Sequence, residues 1–225
     1  MEKLISIIPR GSSSQSMFIL APIFAIFLTL LFGSLIFILM DYDPIVALKT
    51  FFISPISNFY GISELLVKAT PLALIAVGLS FCFKNNIYNI GAEGQLTMGA
   101  IFGGGVGIYF YDSSSFLVLP MMILAGAIGG ALWGMIPALL KTKFNTNEIL
   151  TSLMLSYVAL LILDYLVVGP WRDPDGFNFP KTRPFGETGR MPVLFEGLRI
   201  HFGLIITLIL LALSWFVYSK TMFGY

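Results

Sequence analysis

Charge is scarce in this 225-residue chain. Only 11% of its residues are Asp, Glu, Lys or Arg, 57% are hydrophobic, and the formal net charge is +1. That balance gives no basic footprint for nucleic acid. Together with a mean hydropathy of +0.89 it also excludes a soluble globular domain. Cysteine and histidine are nearly missing. Cys82 and His201 each stand alone, so no internal disulfide and no Cys/His cluster with metal-ligand spacing can form. Cys82, inside Leu79-Ser80-Phe81-Cys82-Phe83, reads as a buried, inert thiol, and His201 as a capping or interfacial residue. Catalytic signatures are missing too. No Gly-x-x-x-x-Gly-Lys-Ser/Thr loop, His-Glu-x-x-His pair or Gly-x-Ser-x-Gly elbow occurs, so any ATP that drives this protein must be bound by another subunit.

Long apolar runs are what the sequence has in plenty, and they are too continuous for the alternating pattern of an outer-membrane barrel. They predict an all-α, polytopic membrane helix bundle of about six spans: Met17–Met40, Ser63–Phe83, Ile90–Phe110, Phe116–Leu140, a fifth ending at Gly169, and Phe202–Tyr218. All belong to one transmembrane domain over residues 1–225. Residues 1–16 read as a cytoplasmic tail, 43–61 as an interfacial stretch broken at Pro55, and 170–200 as a long extracytoplasmic loop. Lys141-Thr142-Lys143 marks an inner loop. Asn145-Thr146-Asn147-Glu148 then looks like a helix start, with Asn145 as N-cap and Glu148 three residues on. Alternating the spans puts Lys3, Arg10, Lys84, Lys141, Lys143 and Lys220 on one side, which predicts a cytoplasmic N-terminus. The long loop, with five Arg or Lys offset by Asp173, Asp175, Glu187 and Glu196, is the exception.

Glycine spacing adds packing information. Gly99, Gly103 and Gly107 recur every fourth residue, as do Gly126, Gly130 and Gly134, so the third and fourth spans each carry a small-residue stripe suited to close helix packing.

Polar residues inside the spans are the functional pointers, because an unpaired polar group in hydrocarbon costs on the order of 2 to 7 kcal/mol. They concentrate in Asn89-Ile90-Gly91-Ala92-Glu93-Gly94-Gln95. A helix there would put Asn89, Glu93 and Thr97 on one face, with Gly91 and Gln95 on a neighbouring face. On physics alone the heptad is either a hydrogen-bonded knot between helices or a solute or gating site. Asp164, near the outer end of the fifth span, is the second candidate; the plain reading has it reach the interface or pair with a basic residue of the long loop. Trp171 reads as an interfacial anchor.

Four blocks in order now carry a resemblance. Lys68-Ala69-Thr70-Pro71-Leu72, the heptad, Thr146-Asn147-Glu148-Ile149-Leu150-Thr151-Ser152-Leu153-Met154-Leu155-Ser156-Tyr157, and Gly169-Pro170-Trp171-Arg172-Asp173-Pro174 with Phe179-Pro180 and Pro184-Phe185 resemble permease subunits of ABC importers for nucleosides and simple sugars. The resemblance implies a non-catalytic, cofactor-free subunit of a bacterial cytoplasmic-membrane importer. It would work with a second permease subunit, a separate ABC ATPase subunit and an extracytoplasmic substrate-binding lipoprotein. It also implies that Asn89, Glu93 and Gln95 lie near the solute path or support its gate. Family members continue past a Phe-Gly-Tyr, here Phe223-Gly224-Tyr225, into a coupling segment and further spans, so the chain is expected to be the N-terminal part of such a permease. Two alternatives stand beside this one: a related permease for branched-chain amino acids, whose equivalent motif generally lacks the Gly-Ala-Glu-Gly-Gln order, and a membrane fragment that transports nothing. A neutral, hydroxyl-rich solute suits carboxamides, which both donate and accept. Nucleoside and free sugar remain equal options at this stage.

Overall fold

The apolar runs become helices because a backbone in hydrocarbon must satisfy its N–H and C=O groups internally. The computed structural model describes residues 15–222. Most of the expected tail, with Lys3 and Arg10, and the Phe223-Gly224-Tyr225 end therefore lie outside the described residues. The helices are α1 (Gln15–Leu39), α2 (Pro44–Phe52), α3 (Phe59–Lys84), α4 (Ala92–Tyr109), α5 (Val118–Phe144), α6 (Glu148–Val168) and α7 (Gly203–Lys220). Five of them, α1, α3, α5, α6 and α7, are long and apolar enough to cross a membrane. With the shorter apolar helical stretch Pro44–Ile56, this agrees with an all-α bundle of about six spans; α4 stands where the third span was placed, and Glu93, Gln95 and its glycines make it less apolar than the other long helices.

Two compact units divide the chain, Met1–Leu65 and Leu66–Tyr225. In the first, none of the most apolar stretch of α1 is buried by the chain itself. Asp41 turns the backbone at φ 61°. Asp43 then caps α2, its carboxylate accepting from the N–H groups of Ile45 at 2.7 Å and Val46 at 3.3 Å, while Pro44 fills the first helical position, where no N–H is needed. Phe37 of α1 meets Phe51 of α2 with ring centres 6.2 Å apart. The break at Pro55 is a 3-10 turn over Ser54–Ile56.

In the second unit α4 is the centre, with α5 and α6 packed on two of its sides. Met98, Ile101 and Ala159 form the buried core, ringed by Trp133, Ile162 and Trp171 among others. The indole N–H of Trp133 donates to the Leu155 carbonyl at 3.3 Å and so ties α5 to α6. Elsewhere Tyr218 of α7 donates its hydroxyl to the Ser80 carbonyl of α3 at 3.0 Å, and the Lys84 ammonium sits 4.2 Å above the Tyr218 ring.

The α5–α6 connection corrects two expectations. Lys141-Thr142-Lys143 is the last turn of α5 rather than a loop. Asn145 does not cap α6: it adopts φ 51° as the left-handed C-cap of α5, a conformation asparagine tolerates. The N-cap is Asn147, whose side chain accepts from Ile149 N–H at 3.0 Å and Leu150 N–H at 3.3 Å. The sequence offers two asparagines two residues apart, and the shortness of the turn decides which does what. Lys141 and Glu148 then close across it in a 2.9 Å ion pair.

The long loop is ordered. Arg172 pairs with Thr182 and Val193 with His201 as isolated antiparallel bridges. Asp173, 8% exposed, lies 3.8 Å from the Lys181 ammonium and 3.9 Å from the Arg183 guanidinium. Because both cations remain partly solvated, this pair of contacts contributes about 1 kcal/mol. Asp173→Asn is therefore expected to speed tryptic cleavage after Lys181 by roughly fivefold, as limited proteolysis read on a gel would show; an unchanged rate would mean the loop is held elsewhere.

Candidate functional site

The start of α4 is where the chain departs most from ordinary helix chemistry. A helix N-terminus leaves its first N–H groups without intrahelical partners, and an N-cap side chain usually accepts from one of them. Here the N-cap is Gly91, which has no side chain. The N–H of Gly94, three residues on, instead donates to Ser156 Oγ of α6 at 3.3 Å, and the N–H of Ile90 donates to Ser152 Oγ at 3.2 Å. Both serines bond back along α6, Ser156 Oγ to the Ser152 carbonyl and Ser152 Oγ to the Ile149 carbonyl, each at 3.2 Å. The cap has been moved onto a neighbouring helix.

Glycine is what allows this. A Cβ on Gly91 would lie 2.8 Å from Ser152 Cβ, and one on Gly94 would lie 2.7 Å from Ser156 Cα. Two backbones touch at these points, and any side chain would force them apart. Ser156→Ala is expected to strip the borrowed cap and lower stability by about 1 kcal/mol, a shift of roughly 2–4 °C in the melting temperature of detergent-solubilised protein. A melt identical to wild type would show the contact to be idle.

Along the rest of α4 the two glycine stripes face each other. A Cβ on Gly99 would stand 3.0 Å from the Gly126 carbonyl oxygen, one on Gly103 2.8 Å from that of Met122, and one on Gly130 3.1 Å from that of Gln95. Gly107 meets Met122 and Phe185, and Gly134 meets the Gln95 carboxamide. The C-terminal half of α4 is covered by the long loop, with Phe185 against Gly104 and Trp171 against Gly105. Trp171 therefore packs on the bundle, a partner its place at a span's end did not reveal.

The polar residues of the heptad do not share one face. Asn89 turns back, its Oδ1 accepting from Gly91 N–H at 2.9 Å. Asn89 and Gln95 both line a cleft of about 270 Å³ between α3 and α4, walled by Leu74, Ile75, Leu79 and Leu96. Glu93 lies on the exposed face of α4, whereas Thr97, expected beside it, is buried, its hydroxyl donating to the Glu93 carbonyl at 2.9 Å. A second cavity of about 220 Å³ adjoins the first. It shares Asn89 and Cys82 with it and extends along α5 and α6 to Thr142, Ser152 and the Lys141–Glu148 pair. Asp164 is exposed on α6, and the loop's Lys181, Arg183 and Arg190 make ion pairs with Asp173, Asp175 and Glu187. Sequence reading missed Ser152 and Ser156 as the docking points. Their fourfold spacing and small size were the available signal.

With this geometry in place, residues 61–225 match the family model described as "Branched-chain amino acid transport system / permease component". The chain belongs to this permease family. Among curated relatives, it is 33% identical to a glucose ABC transporter permease of Haloferax volcanii over 91% of its own length and 56% of the relative's. It is 30% identical to a guanosine ABC transporter permease of Bacillus subtilis, over 92% of this chain and 60% of that one. A nucleoside ABC transporter permease of Lactococcus lactis is 28% identical over 92% of this chain and 59% of its own. The permease chain thus spans a little over half the length of these relatives. No solved structure gives a significant match.

Proposed function

We propose that this chain is a permease subunit of an ATP-driven importer and forms part of the translocation path for nucleosides or simple sugars. The observation that carries the proposal is the alignment, over more than nine-tenths of the chain, with permeases described as carrying glucose, guanosine and nucleosides. In this reading the protein sits in the cytoplasmic membrane with its N-terminus inside and residues 170–200 outside. It pairs with a second permease subunit, draws on a separate ABC ATPase subunit, and receives solute from an extracytoplasmic binding lipoprotein. Asn89 and Gln95 belong to the solute path. Glu93 supports its gate, on a face of α4 that the chain leaves open to water or to a neighbouring subunit.

A branched-chain amino acid permease is the second reading, favoured by the family's own description. Against it, a zwitterionic solute brings two charges that neutral carboxamides do not neutralise.

Purification of the tagged chain from its native membranes tests the assembly. The reading expects a co-purifying ABC ATPase and ATP hydrolysis by the complex. A complex that hydrolyses no ATP and contains no such subunit would sink it.

A further inference from the structure

Between α3 and α7 runs a groove of about 600 Å³, larger than either cavity described above, to which α4 contributes no residue. The two helices meet at one end of it. There the Tyr218 hydroxyl donates to the Ser80 carbonyl at 3.0 Å, the Phe81 and Tyr218 ring centres stand 4.7 Å apart, and the Lys84 ammonium lies 4.2 Å above the Tyr218 ring. Further in, the walls are Ala73, Ala76, Val77, Leu211 and Trp215. The two serines on these walls turn their protons back onto their own helices. Ser80 donates to the Val77 carbonyl at 2.7 Å and Ser214 to the Leu211 carbonyl at 2.8 Å, which leaves the walls with no open donor. Positive charge is gathered where the helices meet: Lys84 closes α3 and Lys220 closes α7, α7 contains no acid, and Glu64, the one acid of α3, belongs to its opposite end.

We propose that this groove binds an anionic phospholipid, with its phosphate at Lys84 and Ser219 and an acyl chain along the alanines and Trp215. The proposal is independent of the importer reading. An apolar trough that ends in cations suits an amphiphile with a negative head, whereas a free polar solute would leave its hydroxyls without partners along the walls. A further helix does not fit either. The 600 Å³ spread over the ~16 Å of α3 from Ala73 to Lys84 is a mean cross-section of about 37 Å², against about 80 Å² for a slender helix with its side chains. Basic residues between membrane helices select anionic headgroups by charge, and the long lysine stem carries the ammonium to headgroup level. The Tyr218 ring holds one side of that ammonium, which has three donors to share.

Trp215 is the reporter, because it lines the groove and is 62% exposed. Intact permease from its native membranes is reconstituted in phosphatidylcholine with rising fractions of a lipid brominated on its acyl chains, and the fluorescence that is lost in Trp215→Phe isolates the signal of this indole. Brominated phosphatidylglycerol is expected to quench that signal at a roughly fivefold lower fraction than brominated phosphatidylcholine. Lys84→Gln is expected to remove the preference and Lys84→Arg to keep it. Ala76→Leu, at an exposed wall position that leaves the charge in place, is expected to remove the preference by filling the trough, and it carries the test where Lys84→Gln does not reach the membrane. Three results would overturn the proposal: equal quenching by the two lipids in the unaltered protein, a preference that survives Lys84→Gln or Ala76→Leu, or no quenching of Trp215 by either lipid, as a helix or a second copy of the chain seated in the groove would give.

Discussion

Gly94→Leu is expected to remove the folded chain from the membrane. Even a methyl group at Gly94 would stand 2.7 Å from Ser156 Cα and 3.2 Å from its backbone nitrogen, so relief requires moving a helix and not merely a side chain. Overpacking of a tight contact costs roughly 1–3 kcal/mol, and a leucine adds three more carbons to the same gap. Separating α4 from α6 would also break the Ser156 and Ser152 bonds to the Gly94 and Ile90 N–H groups and open the core at Ala159, which is 0% exposed. Gly94→Ala should give a milder loss, offset in part by alanine's helix propensity advantage of up to about 1 kcal/mol. Gly78 in α3 is the control, since a Cβ there meets nothing within 4 Å. Gly78→Ala should therefore keep or raise the melting temperature of detergent-solubilised protein while Gly94→Ala lowers it. Equal shifts at the two positions would show that α4 and α6 do not touch as described.

The second large effect falls on transport rather than folding. Glu93→Gln keeps the size of the side chain and removes its charge. Because Glu93 is exposed and the Thr97 hydroxyl uses its backbone carbonyl, not its carboxylate, the folded chain should be recovered in wild-type amounts. Uptake is nonetheless expected to fall roughly tenfold, about 1.4 kcal/mol of lost assistance, if Glu93 supports the gate as proposed. Gln95→Ala is expected to reduce uptake as well, through loss of a carboxamide proposed to belong to the solute path. Should both variants leave uptake and solute-stimulated ATP hydrolysis unchanged at steady protein levels, Asn89, Glu93 and Gln95 would have no role in the path.

Much of the architecture was legible because hydrocarbon imposes a narrow grammar. Long apolar runs gave the positions of the helices, the fourfold glycine spacing gave the small-residue stripes, and Pro55 gave the break after α2. Less legible was everything decided by contact between distant segments. Periodicity put Asn89, Glu93 and Thr97 on one face, but α4 begins only at Ala92, so Asn89 lies before the helix and turns back as a local cap. The dense polar content of α4 lowered its apolarity for the same reason that made it the packing centre: glycines contribute little hydropathy and permit the closest approach. The N-cap of α6 fell to Asn147 and not Asn145 because both suit helix ends, and only the left-handed turn at Asn145 separates them. The heptad was open between a packing knot and a solute site. Its glycines meet α6, Asn89 and Gln95 line a cleft beside α3, and its glutamate lies on the exposed face. One short stretch contains residues facing all three directions, a division that composition cannot express.

Accumulation of guanosine and glucose by intact cells tests the central claim most directly. The gene is deleted in its native host, and uptake of each radiolabelled solute is compared in the parent, the deletion strain and the deletion strain given back the intact gene. Energy-dependent accumulation of at least one of the two in the parent, its loss on deletion and its return on complementation are the expected results. Accumulation of both solutes that is the same in all three strains would contradict the proposal.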